Sequence, residues 1–287
     1  MIKIMADSTC DLSDEVLEKY DISLAPLTID IGGKIYRDRI DIQPDAFYGM
    51  LEALPEFPTT GMPSPAEYLK IMKEAVESGY KEVLCICMSS GTSGAYQSAV
   101  LAKDYFFEEQ PDSHVKIHVV DSKCMSHGSG WLVLKSAMMR EKGASFEELV
   151  SFNESFKKKV KHFLSVDDLN HLIKSGRLSN SSAIIGKILM IKPIMSMKDG
   201  RGAIVGKERG LKRVLKHYVQ EFIKRNDATV TDFIIIGYTS DRTIAENLKA
   251  ILQKDTDFSG EIYIMQMGVS VGTHVGLGAI SMFFVEK

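Results

Sequence analysis

The sequence predicts an α/β protein of two domains, an N-terminal one built on a parallel sheet and a C-terminal one with a mixed sheet. Three observations carry this. In the first half, short apolar runs such as "EVLCICM" (Glu82–Met88) and "KIHVVDS" (Lys116–Ser122) alternate with amphipathic segments, the pattern of parallel strands joined by helices. The second half sets two extended runs back to back around Asp199-Gly200, a hairpin signature. A chain of 287 residues also suits two domains of ordinary size. The boundary is placed near Lys161, dividing 1–160 from 161–287.

Taken in order, Ile2–Ala6 reads as a strand, and "DSTCDLSDEVLEKY" as cap residues followed by a helix with Val16, Leu17 and Tyr20 on one face. "SLAPLTIDIGGKIYRD" holds two extended runs around Gly32-Gly33, a hairpin. "QPDAFYGMLEAL" is a helix with proline in its first turn. "PTTGMPSP" is a proline-stiffened loop entering a helix, with Ser64 as cap and Pro65 at the first helical position. "EVLCICM" is a buried strand, and a helix follows the turn that starts at Ser89. "KIHVVDS" is a strand, and two helices lead to the boundary.

Beyond it, "KHFLSV" is a strand and "DDLNHLIKSG" a helix. "SNSSAIIGKILMI" reads as a helix apolar nearly all round, a core helix or the wall of an apolar cavity. After the hairpin come a helix over Leu211–Arg225, the strand "DFIIIGY", a helix from Asp241, and the strand "EIYIMQM". A Gly-rich loop, "GVSVGTHVGLGA", then precedes a terminal strand.

Composition excludes several function classes. Hydrophobic residues make up 45% and charged residues 25%, with a net charge of −3, so nucleic acid is not an expected partner. Cys85 and Cys87 fall on one side of a strand, and they, Cys10 and Cys124 read as buried free thiols in a reducing, cytoplasmic compartment. No signal-peptide anatomy is present, and no apolar run approaches the ~20 residues of a membrane span, so stable membrane insertion is not expected. No metal-ligand spacing, phosphate loop or dinucleotide fingerprint occurs, and no cofactor is expected.

The richest constellation is "MSSGTSGAYQSA" (Met88–Ala99). A strand, a Ser/Gly/Thr turn and a helix bring unpaired N–H groups, the hydroxyls of Ser90, Thr92 and Ser93, and Gly94 to a helix N-terminus, where an anion is welcome. A plain cap needs only one such hydroxyl. A second reading competes. Gly91-Thr92-Ser93-Gly94-Ala95 is one residue from a hydrolase nucleophile elbow, and Ser93, Asp121 and His274 follow the Ser–Asp–His chain order of a serine esterase. His274 stands out because it lies among glycines and not on an apolar face.

Seven blocks, "ADSTCDL", "PTTGMPSP", "SSGTSGAYQSA", "VDSK", "DDLNHLIKSGRLS", "IKPI" and "GTHVGLGA", appear in the order seen in the DegV family, which the whole chain resembles. The resemblance implies the DegV-type two-domain fold and a bacterial fatty-acid-binding protein, not itself an enzyme. In such systems a FakB-like protein holds a long-chain fatty acid, such as palmitate, myristate, stearate or oleate, between its domains. A FakA-type kinase then phosphorylates the carboxylate for phospholipid synthesis. It further implies that Thr60, Ser93 and His274 hold the carboxylate, supported by Ser90, Thr92, Gly94, Gly61 and Arg177. Two departures stand out: Gly61-Met62 replaces the family's Ser-Gln, and Leu277 replaces a usual proline.

Overall fold

The computed structural model describes residues 1–178 and 191–287. The apolar helix expected over 179–191 lies, but for its last residue, outside the described residues.

Four parallel strands form the first sheet, in the order β2-β1-β6-β7: β1 (Ile2–Asp7), β2 (Ile22–Ala25), β6 (Glu82–Cys87) and β7 (Lys116–Asp121). Both faces are buried, which is why these strands read as continuous apolar runs. Alternate residues divide between the faces. Met5, Val83, Cys85 and Cys87 meet α3 (Pro65–Glu77) and α4 (Ala95–Glu109). Ile4, Ala6, Leu84 and Ile86 meet α5 (His127–Glu141) and α6 (Phe146–Phe156). The four cysteines are buried free thiols, with the Cys85 and Cys87 sulfurs 3.6 Å apart. The short α1 (Asp14–Lys19) is capped by Ser13, whose Oγ accepts from the Val16 N–H.

The second sheet is mixed and six-stranded, in the order β10-β9-β8-β13-β11-β12. Its strands are β8 (Val160–Ser165), β9 (Ile191–Lys198), β10 (Arg201–Arg209), β11 (Phe233–Tyr238), β12 (Glu261–Gln266) and β13 (Ile280–Val285). One face packs on α5, bringing Phe233, Phe283 and Val285 into the same core as Leu84 and Trp131. The other packs on α8 (Leu211–Arg225) and α9 (Arg242–Asp255). Helix α5 is therefore the filling between the two sheets. The remaining helices are short: α2 (Pro44–Met50), α7 (Asn170–Lys174) and α10 (Val269–Val275).

Three expectations are corrected. The run Ser23–Ile31 is not one strand: Pro26, which offers no N–H, separates β2 from β3 (Thr28–Ile31). Strand β3 pairs with β4 (Lys34–Arg37) across the expected hairpin. The proline-stiffened loop contains a third strand of that small sheet, β5 (Thr59–Gly61), with Thr60 opposite Ile29. The Gly-rich loop is largely helix α10. Gly272 serves close packing there, since a Cβ would fall 2.5 Å from the Tyr48 hydroxyl. Gly276, at φ 71°, ends the helix.

Candidate functional site

The β6–α4 turn is held by its own hydroxyls. The Ser89 N–H donates to the Cys124 carbonyl (2.8 Å), and Ser89 Oγ donates to the Gly200 carbonyl at the tip of the β9–β10 hairpin (2.6 Å). Thr92 Oγ1 donates back to the Ser89 carbonyl (2.9 Å). Ser90 donates to Asp121, which also pairs with Lys123 (2.5 Å). Ser93 differs. Its Oγ accepts from the Ala95 N–H at the start of α4 (3.2 Å), and its own hydroxyl hydrogen meets no acceptor among the described residues. Of the three hydroxyls singled out in the sequence, Ser93 alone is left with a donor to give.

The small sheet carries Thr60 to this turn. Thr60 Oγ1 lies 2.9 Å from His274 Nε2, a contact that spans 214 residues of sequence. His274 sits in the last turn of α10, half-buried, with its buried Nδ1 finding no partner among the described residues. Burial, then the charges of Arg177 and His171, push its pKa down to about 4, so it is a neutral imidazole at pH 7. Asp121 is bonded to Ser90 and Lys123, and among the described residues no hydrogen bond joins Ser93 to His274 or Asp121 to either.

Thr60, Thr92, Ser93, Gly94, Arg177 and His274 line one cavity of about 160 Å³. Ser90 and Gly61 do not: Ser90 faces Asp121, and Gly61 fits under Thr28, whose Oγ1 lies 2.5 Å from where a Cβ would be. Met62 also lines the cavity and is 53% exposed. Its sulfur fills the space that a Cβ on Gly94 would need. A second cavity, of about 40 Å³, shares Met125, Ser126, Arg177, Val271 and Val275 with the first. Its other walls include Leu164, Leu172, Leu178, Met195, Met267 and Phe283.

Sequence reasoning missed Thr9, Ser126, Ser270 and Val271 on the first cavity. Val271 and Val275 were legible as an i, i+4 pair, had the segment been recognised as helix. Ser126 carried no such signal. It takes a left-handed φ of 52° at the entry to α5, and its Oγ lies 2.5 Å from Asp11.

Asp11 ties the site together. Its Oδ1 accepts from the Gly268 N–H at the start of α10 (2.8 Å). Burial pushes its pKa up to about 8, against hydrogen bonds from Ser126 and Gly268 that favour the charged form. The sign of its pH effect follows. Below pH ~3.9 the carboxyl is protonated in both folded and unfolded chains. As pH rises towards 8 the unfolded chain loses a proton that the folded chain keeps, so stability is lost. Asp11→Asn keeps the bond from the Gly268 N–H, reverses the other so that Nδ2 donates to Ser126 Oγ, and tolerates the left-handed φ of 55°. Its stability relative to wild type is expected to rise with pH by up to ~1 kcal/mol per unit between pH 5 and 8. Urea denaturation at those two pH values checks this; an equal difference at both contradicts it.

Among the described residues there is no group of three or more His, Cys, Asp or Glu placed to hold a metal, and no helix long and apolar enough to cross a membrane.

Fold and site together describe a two-sheet α/β protein with two adjoining cavities, one edged by hydroxyls and one apolar, that share five lining residues. The chain belongs to the DegV family: the model described as "Uncharacterised protein, DegV family" matches residues 1–287. It is 36% identical over 286 residues to a DegV domain-containing protein of Clostridium acetobutylicum, covering 100% of this chain and 99% of that one. Among solved structures it resembles a fatty-acid-binding DegV family protein of Thermus thermophilus, with a TM-score of 0.88 and 27% identity over 100% and 99% of the two chains. It also resembles a stearic acid-binding protein of Eubacterium ventriosum, with a TM-score of 0.87 and 28% identity over 100% and 99%.

Proposed function

We propose that this protein binds a long-chain fatty acid, with the carboxylate at Thr60, Ser93 and His274 and the acyl chain in the apolar cavity, and presents it to a separate kinase for phosphorylation. The observation that carries the reading is the uncommitted Ser93 hydroxyl beside the Thr60–His274 pair, in a pocket that adjoins an apolar one and shares five wall residues with it. With the proton on Nε2, His274 donates to Thr60 Oγ1, and that tautomer leaves the Thr60 hydroxyl hydrogen to donate to the carboxylate. Two hydroxyl donors and a helix N-terminus then meet a charge that cannot be buried bare. The chain adds ~0.8 kcal/mol per buried methylene. Fatty-acid binding by the Thermus and Eubacterium proteins supports the ligand class. The kinase step rests on the family resemblance, as does the support assigned to Arg177.

Extraction of the purified protein with organic solvent, followed by mass spectrometry, is expected to release a long-chain fatty acid, and the delipidated protein is expected to rebind palmitate. A protein that carries none and binds none refutes the reading. Incubation with a FakA-type kinase and ATP is expected to give acyl phosphate only when the protein is present. A serine esterase would instead be labelled at Ser93 by a fluorophosphonate. No such labelling is expected, since Ser93 has no hydrogen-bonded base and Asp121 is engaged elsewhere.

A further inference from the structure

Six of the chain's 15 methionines line the two adjoining cavities. Met62 and Met88 belong to the polar one, Met125 to both, and Met195, Met197 and Met267 to the apolar one. The last four come from three separate places: the turn after β7, strand β9, and the residue following β12. Met195 and Met267 are buried, while Met125 and Met197 are half-buried.

Side-chain chemistry gives this a consequence. Methionine is unbranched, has three rotatable bonds beyond Cα and a polarisable sulfur, and fills irregular space at little cost. A β-branched residue has essentially one χ1 to offer and presents a fixed shape. A saturated acyl chain of a given length and its cis-unsaturated counterpart differ little in apolar area but greatly in shape. A rigid wall discriminates between them, whereas a methionine wall repacks, as in binding surfaces that accept many partners.

We infer that the methionines of the apolar cavity, Met195 and Met267 above all, make it deformable, so that the protein holds straight and cis-bent long-chain fatty acids with similar affinity. This rests on the fatty-acid reading above.

The test offers delipidated protein an equimolar mixture of stearic and oleic acid and reads the bound ratio by native mass spectrometry. The wild type is expected to hold the two within about threefold of each other. Met195→Ile with Met267→Ile is expected to move that ratio by about tenfold or more, because the β-branched side chains fix the wall. Met195→Leu with Met267→Leu, which conserves volume and guards against a misfolded isoleucine variant, is expected to move it in the same direction by less. A wild type that prefers one acid more than about tenfold overturns the inference, as do folded variants that keep the wild-type ratio. Both results leave fatty-acid binding intact. If the wild type binds neither acid, the proposed function fails and this inference with it.

Discussion

Ser93→Ala combined with Thr60→Val is expected to weaken palmitate binding about a hundredfold or more while leaving the protein folded. On the proposed reading the two hydroxyls donate hydrogen bonds to an ionised carboxylate, each worth ~1.5–3 kcal/mol. Each single substitution therefore costs about tenfold or more, since 1.4 kcal/mol is a factor of ten. The pair is not expected to be strictly additive, because both groups serve one carboxylate. Ser93 Oγ accepts only the Ala95 N–H, so Ser93→Ala costs the fold little. Valine matches the shape of threonine at a partly buried strand position but leaves His274 Nε2 without its hydrogen bond, so Thr60→Val is expected to cost ~1–3 kcal/mol of stability without unfolding the protein. Titration calorimetry on delipidated protein gives the affinities. The sixteen-carbon alcohol supplies the control, because it keeps the tail and drops the charge, so the same variants are expected to change its affinity by only a few-fold. Unchanged palmitate affinity in the double variant removes Ser93 and Thr60 from the site. An equal loss for acid and alcohol shows that the substitutions damaged the cavity and not a carboxylate contact.

The fold was legible wherever burial imposes a pattern. Strands β1, β6 and β7 are covered on both faces and read as unbroken apolar runs, and α8 begins and ends at the expected residues, Leu211 and Arg225. Elements defined by tertiary contact were not. Strand β5 has three residues between prolines, and only its pairing with β3 makes it a strand. Helix α10 looked like a loop because glycines usually signal one, yet Gly272 is there to admit Tyr48. The site divides in the same way. Thr60, Ser93 and His274 line one cavity, but sequence order could not tell which partner Asp121 takes. The register of β6 against β7 sets Asp121 opposite Cys87, at the foot of the turn, where Ser90 reaches it first. The apolar cavity was invisible for a simpler reason. Leu164 and Phe283 follow the same alternation whether the space they face is filled by protein or by a ligand.

Trp131→Ala is expected to lower stability by ~3–5 kcal/mol, the usual cost of deleting a buried large aromatic. Trp131 projects from α5 and is fully buried. Its ring stacks on Phe233 of β11 at 4.8 Å, and its Nε1–H donates to the Phe233 carbonyl at 3.2 Å. The same helix sends Leu132 and Leu134 into the core that holds Ile4 and Leu84 of the first sheet. Removing the ring leaves a cavity at the one layer both sheets share, and little can collapse into it while two sheets hold the walls apart. Trp131→Phe keeps most of the apolar volume and forfeits the hydrogen bond, so it is expected to cost less than half as much. Trp131 is the only tryptophan, so wild-type unfolding can be followed by its fluorescence and by circular dichroism, and the two midpoints are expected to coincide. In the alanine variant circular dichroism alone reports the transition. A loss below ~1 kcal/mol would show that α5 is not what binds the sheets together. Separated fluorescence and dichroism transitions in the wild type would show that the two sheets unfold independently, despite the core they share.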